Sequence, residues 1–259
     1  MPGIAGLITR MPRERAEPLL RKMVDALRHE PFYRTGTWVD QVPGVYVGWV
    51  SRADSSSDDM PLWNEHGDVG LVFSGEEFSE RGHQIDRRAS SGFSRRDNLD
   101  SSFLPGLNGR FHGLVVDRTR ATATLFNDRY GMHRIYYHAS KDAFYFAAEA
   151  KAILAVCPEL RRIDPRGLGE FVAWGCVLED RTLFAGIHVL PCAASWVFRN
   201  GVLERKSTYF QPREWEEQDR LQPEAYYGQI RETFAGNLPR YFNGGSRVAR
   251  DFCGERRWW

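Results

Sequence analysis

The chain begins with an apolar stretch, GIAGLIT, that no charge interrupts, and this predicts a buried strand over residues 3–9. Leu19, Leu20, Met23, Val24 and Leu27 then recur at helical spacing, so an amphipathic helix is expected from about Arg13 to Arg28. From Trp38 to Val50 the apolar residues alternate around Pro43 and Gly44, the pattern of a hairpin. ADSSSDDMP is a polar loop, and GDVGLVFSGEEFSE reads as a short strand ending at a Ser-Gly pair. Residues 81–102 are basic and serine-rich without periodicity, either a mobile loop or a degraded helix.

Beyond that stretch the pattern sharpens. FHGLVVDRTRATATLFND and its continuation through IYYH and AFYFAAE predict a meander of short strands. AEAKAILAV and RGLGEFVAWG read as short helices, and TLFAGIHVLPCAASWVFRNG as another strand pair. Residues 211–226 are charged and flanked by prolines, the best linker in the chain, and EAYYGQIRETFAGNLPRYF resumes helical spacing. Strands and helices come in blocks, which predicts an α+β fold with antiparallel sheets.

Composition removes several classes of function. With 35 basic against 34 acidic residues in 259 and no long basic run, nothing favours nucleic acid or an anionic membrane. No stretch approaches the roughly 20 apolar residues of a membrane span, and no secretory signal is evident, so the expectation is a soluble, cytoplasmic protein. Cys157, Cys176, Cys192 and Cys253 form no CxxC pair; reduced, buried thiols are expected, and no zinc site.

Several motifs in collinear order carry a resemblance. MPGIAGLI, FSGEEFSE, LNGRFHGLVVDRTRATATLFNDRYGMHRIYYH, FYFAAEAKAIL and TLFAGIHVLPCAASWVFRNG resemble the glutamine-hydrolysing asparagine synthetases, in their N-terminal class II (N-terminal-nucleophile) glutamine amidotransferase domain. The resemblance implies a four-layer αββα sandwich for residues 1–210. It further implies a linker and first synthetase-domain helix over residues 211–249.

Glutamine hydrolysis needs a nucleophile, donors for the tetrahedral oxyanion and groups that hold the amino-acid head. Carried over residue by residue, the nucleophile position holds Pro2, which has no side-chain nucleophile. The oxyanion-hole Asn-Gly pair corresponds to Ser74 and Gly75. In GWVSRAD the family's His corresponds to Trp49, and Arg52 is displaced by one residue from the place of the carboxylate-binding Arg. On a strand that shift turns the side chain to the other face. For the Asp that binds the substrate amine only Asp97 and Asp100 are at hand, and Asp97 is the candidate. The glutamine pocket is therefore expected to be degenerate. Asp128 and Arg129 are read as holding a turn by hydrogen bonds and an ion pair, and Glu149 as capping or pairing at a helix start. His133 and His138 are read as strand-edge residues without a functional role.

Residues 250–259, RDFCGERRWW, replace the glycine-rich pyrophosphate loop expected in a synthetase domain, and the expectation is a frameshifted tail. No cofactor is expected here; ATP and Mg would belong to the missing synthetase domain. The leading expectation is an asparagine-synthetase-like amidotransferase domain that does not hydrolyse glutamine. Two alternatives stand beside it: a non-catalytic module that docks on a synthetase-domain partner, and an N-terminal proline amine acting as a general base.

Overall fold

The computed structural model describes residues 3–52, 60–77 and 101–242, without the side chains of 101, 102 and 239–242. Pro2, Asp97, Asp100, Cys253 and the tail from residue 250 lie outside the described residues. The chain divides into two compact units, Met1–Gln211 and Pro212–Trp259.

The first unit is a sandwich of two six-stranded antiparallel sheets. Its strands are β1 (Gly3–Thr9), β2 (Tyr33–Asp40), β3 (Val45–Arg52), β4 (Leu62–Trp63), β5 (Val69–Glu77), β6 (Gly109–Asp117), β7 (Thr122–Asn127), β8 (Tyr136–Ala139), β9 (Ala143–Ala147), β10 (His188–Val189), β11 (Ala194–Arg199) and β12 (Val202–Thr208). One sheet runs β10-β8-β9-β1-β3-β2 and the other β12-β11-β7-β6-β5-β4. The α+β sandwich of two antiparallel sheets with flanking helices expected from the sequence is the fold that forms.

Side-chain alternation builds the layers. Along β1, Ile4 and Ile8 point into the core between the sheets with Val45 and Val47 of β3 and Leu114 and Val116 of β6. Ala5 and Leu7 face the other way. There they meet Leu20, Met23, Val24 and Leu27 of helix α1 (Arg13–Leu27) and Ile153 of helix α2 (Ala150–Val156). Both faces of β1 are covered, which is why its sequence is apolar throughout. On the outer face of the second sheet, Phe103 and Leu104 of a 3-10 turn (Ser101–Gly106) cover Leu71, Phe73, Phe111 and Val115.

Two expectations change. β5 does not end at the Ser-Gly pair: it continues to Glu77, because Ser74 to Glu77 stay paired with His112 to Gly109. Of the three described cysteines only Cys157 is buried, its thiol pushed up to about 11 by that burial and by Glu159, whereas Cys176 and Cys192 are exposed. All three are unbridged.

Helix α3 (Pro165–Trp174) starts with Pro165 at its first position and the Asp164 carboxylate accepting the Arg166 N–H at 3.2 Å. The second unit contains α4 (Arg213–Glu216) and α5 (Pro223–Phe242). Among the described residues no helix is long and apolar enough to cross a membrane.

One polar contact ties the two sheets at an edge. Asp40, 5% exposed at the end of β2, accepts a hydrogen bond at 2.6 Å from Arg118, which follows β6 in the other sheet. The guanidinium lies 4.4 Å over the Trp63 ring, itself edge-on to Trp38. Removing the carboxylate leaves a half-exposed guanidinium that water can still reach, so the cost is smaller than for a fully buried pair. Asp40→Ala should lower unfolding free energy by about 2 kcal/mol, read from urea denaturation followed by tryptophan fluorescence.

Candidate functional site

Three neighbouring strands of the second sheet set a polar row on its inner face. Ser74 of β5 pairs with His112 of β6, and His112 pairs with Asn127 of β7. Two residues deeper on the same face lie Val72, Leu114 and Leu125 of the core. Two residues outward on β5 and β6 lie Glu76 and Arg110, an exposed ion pair at 2.8 Å. The inner face thus passes from apolar core through buried polar groups to a charged rim.

His112 is wholly buried, and both ring nitrogens are engaged. The Ile4 N–H at the start of β1 donates to Nε2 at 3.4 Å. Nδ1 therefore carries the proton and donates to the His133 carbonyl at 3.2 Å. The His133 ring stacks on it with centroids 4.2 Å apart. Gly3 lets the strand come this close: a Cβ there would collide with that of Ala148 and stand 3.5 Å from His112 Nε2.

The stretch after β7 is organised by Asp128. Its buried carboxylate accepts main-chain N–H groups of Tyr130 and Met132 at 3.0 Å, His133 at 2.9 Å and Phe111 at 3.3 Å. The expected hydrogen bonds form, but the expected ion pair with Arg129 does not. Arg129 donates to the Pro105 carbonyl at 2.5 Å and lies over Phe210, because the main chain already satisfies the carboxylate. Asn127 joins this end of the sheet to the segment before β11, accepting the Ala194 N–H at 2.8 Å. His138 is tied to the Gly186 carbonyl at 2.7 Å, and Glu149 pairs with Lys151 at 3.0 Å without capping α2.

Of the residues singled out from the sequence, Ser74 and Gly75 stand at this row. Gly75 has φ +124°, and a Cβ there would meet the Arg110 carbonyl, so the position requires glycine. Arg52 is not brought to the row. On β3, Val45, Val47 and Trp49 face the inter-sheet core, while Arg52 is directly opposite Tyr33, which packs in the helix layer. Ser51, 3% exposed, holds the inward position instead. Trp49, in the place of the family's His, is core.

The residues missed from the sequence are His112 and, as its partner, His133. The available signal was a histidine at an inward position of the alternation His112, Leu114, Val116. Among the described residues no hydrogen bond joins the Ser74 hydroxyl to either ring; the His133 ring meets the Ser74 main chain instead. His133 Nδ1 is buried without a partner among those residues. No group of three or more His, Cys, Asp or Glu that could hold a metal ion occurs among them.

Residues 97–210 match the glutamine amidotransferase domain family. A 126-residue stretch, 48% of the chain, is 30% identical to "Asparagine synthetase [glutamine-hydrolyzing] 3" of Bacillus subtilis (strain 168), covering 20% of that protein. The fold resembles glutamine phosphoribosylpyrophosphate amidotransferase from B. subtilis, complexed with ADP and GMP, with a TM-score of 0.53 at 10% identity. It also resembles an allosteric regulatory enzyme of purine biosynthesis, with a TM-score of 0.56 at 11% identity. Each of these alignments covers 81% of this chain and 49% of the other. The first unit thus shares the two-sheet α+β sandwich fold of these amidotransferase structures, and the chain spans about a fifth of that curated relative and half of each solved one.

Burial holds the His112 imidazole well below its ordinary 6.5, and the neighbouring His133 lowers it further. Burial also lowers His133, against the opposing pull of Asp128. Well above pH 6.5 both rings are neutral folded or unfolded and add no pH dependence. Below it the unfolded chain takes up protons that the folded chain refuses, so stability falls with pH. The slope is at most about 1.4 kcal/mol per pH unit for His112. Urea midpoints measured from pH 7 to 5 should drop less steeply for His112→Gln than for the parent chain.

Proposed function

We propose that this chain carries an amidotransferase-type domain of asparagine-synthetase lineage that does not hydrolyse glutamine. The observation that carries the reading is Pro2 at the position of the family's nucleophilic cysteine: a prolyl side chain cannot form a thioester with the substrate acyl group. The rest of the pocket supports it. Ser74 offers a shorter donor than the family's Asn for the oxyanion. Arg52 sits on the helix-layer face of its strand, turned from the inner row by the one-residue shift. The polar row itself is filled by a histidine whose two nitrogens are already committed.

A second reading, a binding module that docks on a synthetase-type partner, is favoured by apolar surface in each unit. α3 exposes Leu168, Phe171, Val172 and Trp174. In the second unit α5 carries Tyr226, Ile230, Phe234 and Leu238 at four-residue spacing, all exposed. Such stripes ordinarily lie against another element.

The purified chain incubated with L-glutamine should release no glutamate above the rate without protein. Pro2→Cys alone should restore little, because Ser74 and Arg52 still leave the oxyanion hole and the carboxylate clamp incomplete. Vigorous turnover from that single change would show an intact pocket and overturn the reading.

A further inference from the structure

His112 is the only described contact that pins the main chain at the start of β1 to the opposite sheet through a titratable side chain. Its geometry works only for the neutral ring. Nε2 must present a lone pair to the Ile4 N–H, since Nδ1 already donates to the His133 carbonyl. A proton on Nε2 would set one donor against another and break the contact. The stacked His133 differs: its Nδ1 has no partner among the described residues, so it can take a proton without losing a bond.

We propose that the His112–His133 stack is an acid-sensitive latch on the start of β1. With both rings neutral it holds Gly3 and Ile4 against β6; with His112 protonated it releases them while the two sheets stay folded. The charged groups around the pair are Asp128 from the segment after β7, Arg110 from β6 and Glu76 from β5; the described part of β1 brings none. Asp128 and Glu76 favour the first proton on His133. The resulting imidazolium, with Arg110, then opposes the second proton on His112, so the two rings titrate as a coupled pair and the latch opens at the second step. The device is independent of whether the pocket turns over glutamine.

Amide hydrogen exchange of the ¹⁵N-labelled full chain, corrected for intrinsic rates, tests it between pH 7 and 4.5. Ile4 should lose protection by up to tenfold per pH unit below the transition while Leu114 in β6 keeps its own. His112→Gln, which can still accept from Ile4 but cannot charge, should show a flat Ile4 profile. His133→Phe keeps an aromatic ring on the stack and removes the competing charge, so it should move the Ile4 loss to higher pH; this readout stands even if His112→Gln fails to fold. Constant Ile4 protection in the parent chain, loss in step with Leu114, an unchanged profile in His112→Gln, or an unmoved one in His133→Phe would each overturn the latch.

Discussion

A β-strand turns successive side chains to opposite faces, and in a sandwich that parity decides which groups can meet. Here it brings Ser74, His112 and Asn127 into one row from three strands and lets Ile4 approach from the other sheet. The same rule sends Arg52 to the helix layer and leaves Ser51 facing inward. The character of the site follows from where each side chain falls in this two-residue period. An arginine one position earlier on β3 would belong to a different pocket.

The second governing feature is how polar groups are accommodated near the core. Asp128 shows the ordinary solution: a buried carboxylate surrounded by main-chain N–H groups, which organises the segment carrying His133. His112 shows a more conditional one. Its two hydrogen bonds suit one tautomer of the neutral ring, and burial disfavours any other state. The structure therefore places an ionisable group where only its uncharged form fits, between the first strand and the sheet bearing the polar row.

Much of this is legible in the sequence. β1, α1, the β2–β3 hairpin and the meander from β6 to β9 follow from local periodicity, because each element buries a face its own pattern declares. The turned face of Arg52 was legible too, since parity needs only a register. The length of β5 was not. Ser74-Gly75 looks like a turn, yet Gly75 supplies the φ that keeps the strand in the ladder opposite Phe111. The exposure of Cys176 and Cys192 was missed because apolar neighbours in sequence do not guarantee burial. The histidine pair was missed for a reason of distance: His133 lies 21 residues beyond His112, and their stacking depends on a turn built by Asp128.

On the proposed reading, the inner-face row neither holds glutamine nor has a nucleophile beside it. Isothermal titration of the full chain with L-glutamine, alongside Arg52→Ala, tests this without requiring catalysis. No saturable heat is expected from either protein. Saturable glutamine binding would contradict this reading, and its loss in Arg52→Ala would place that guanidinium in the working pocket.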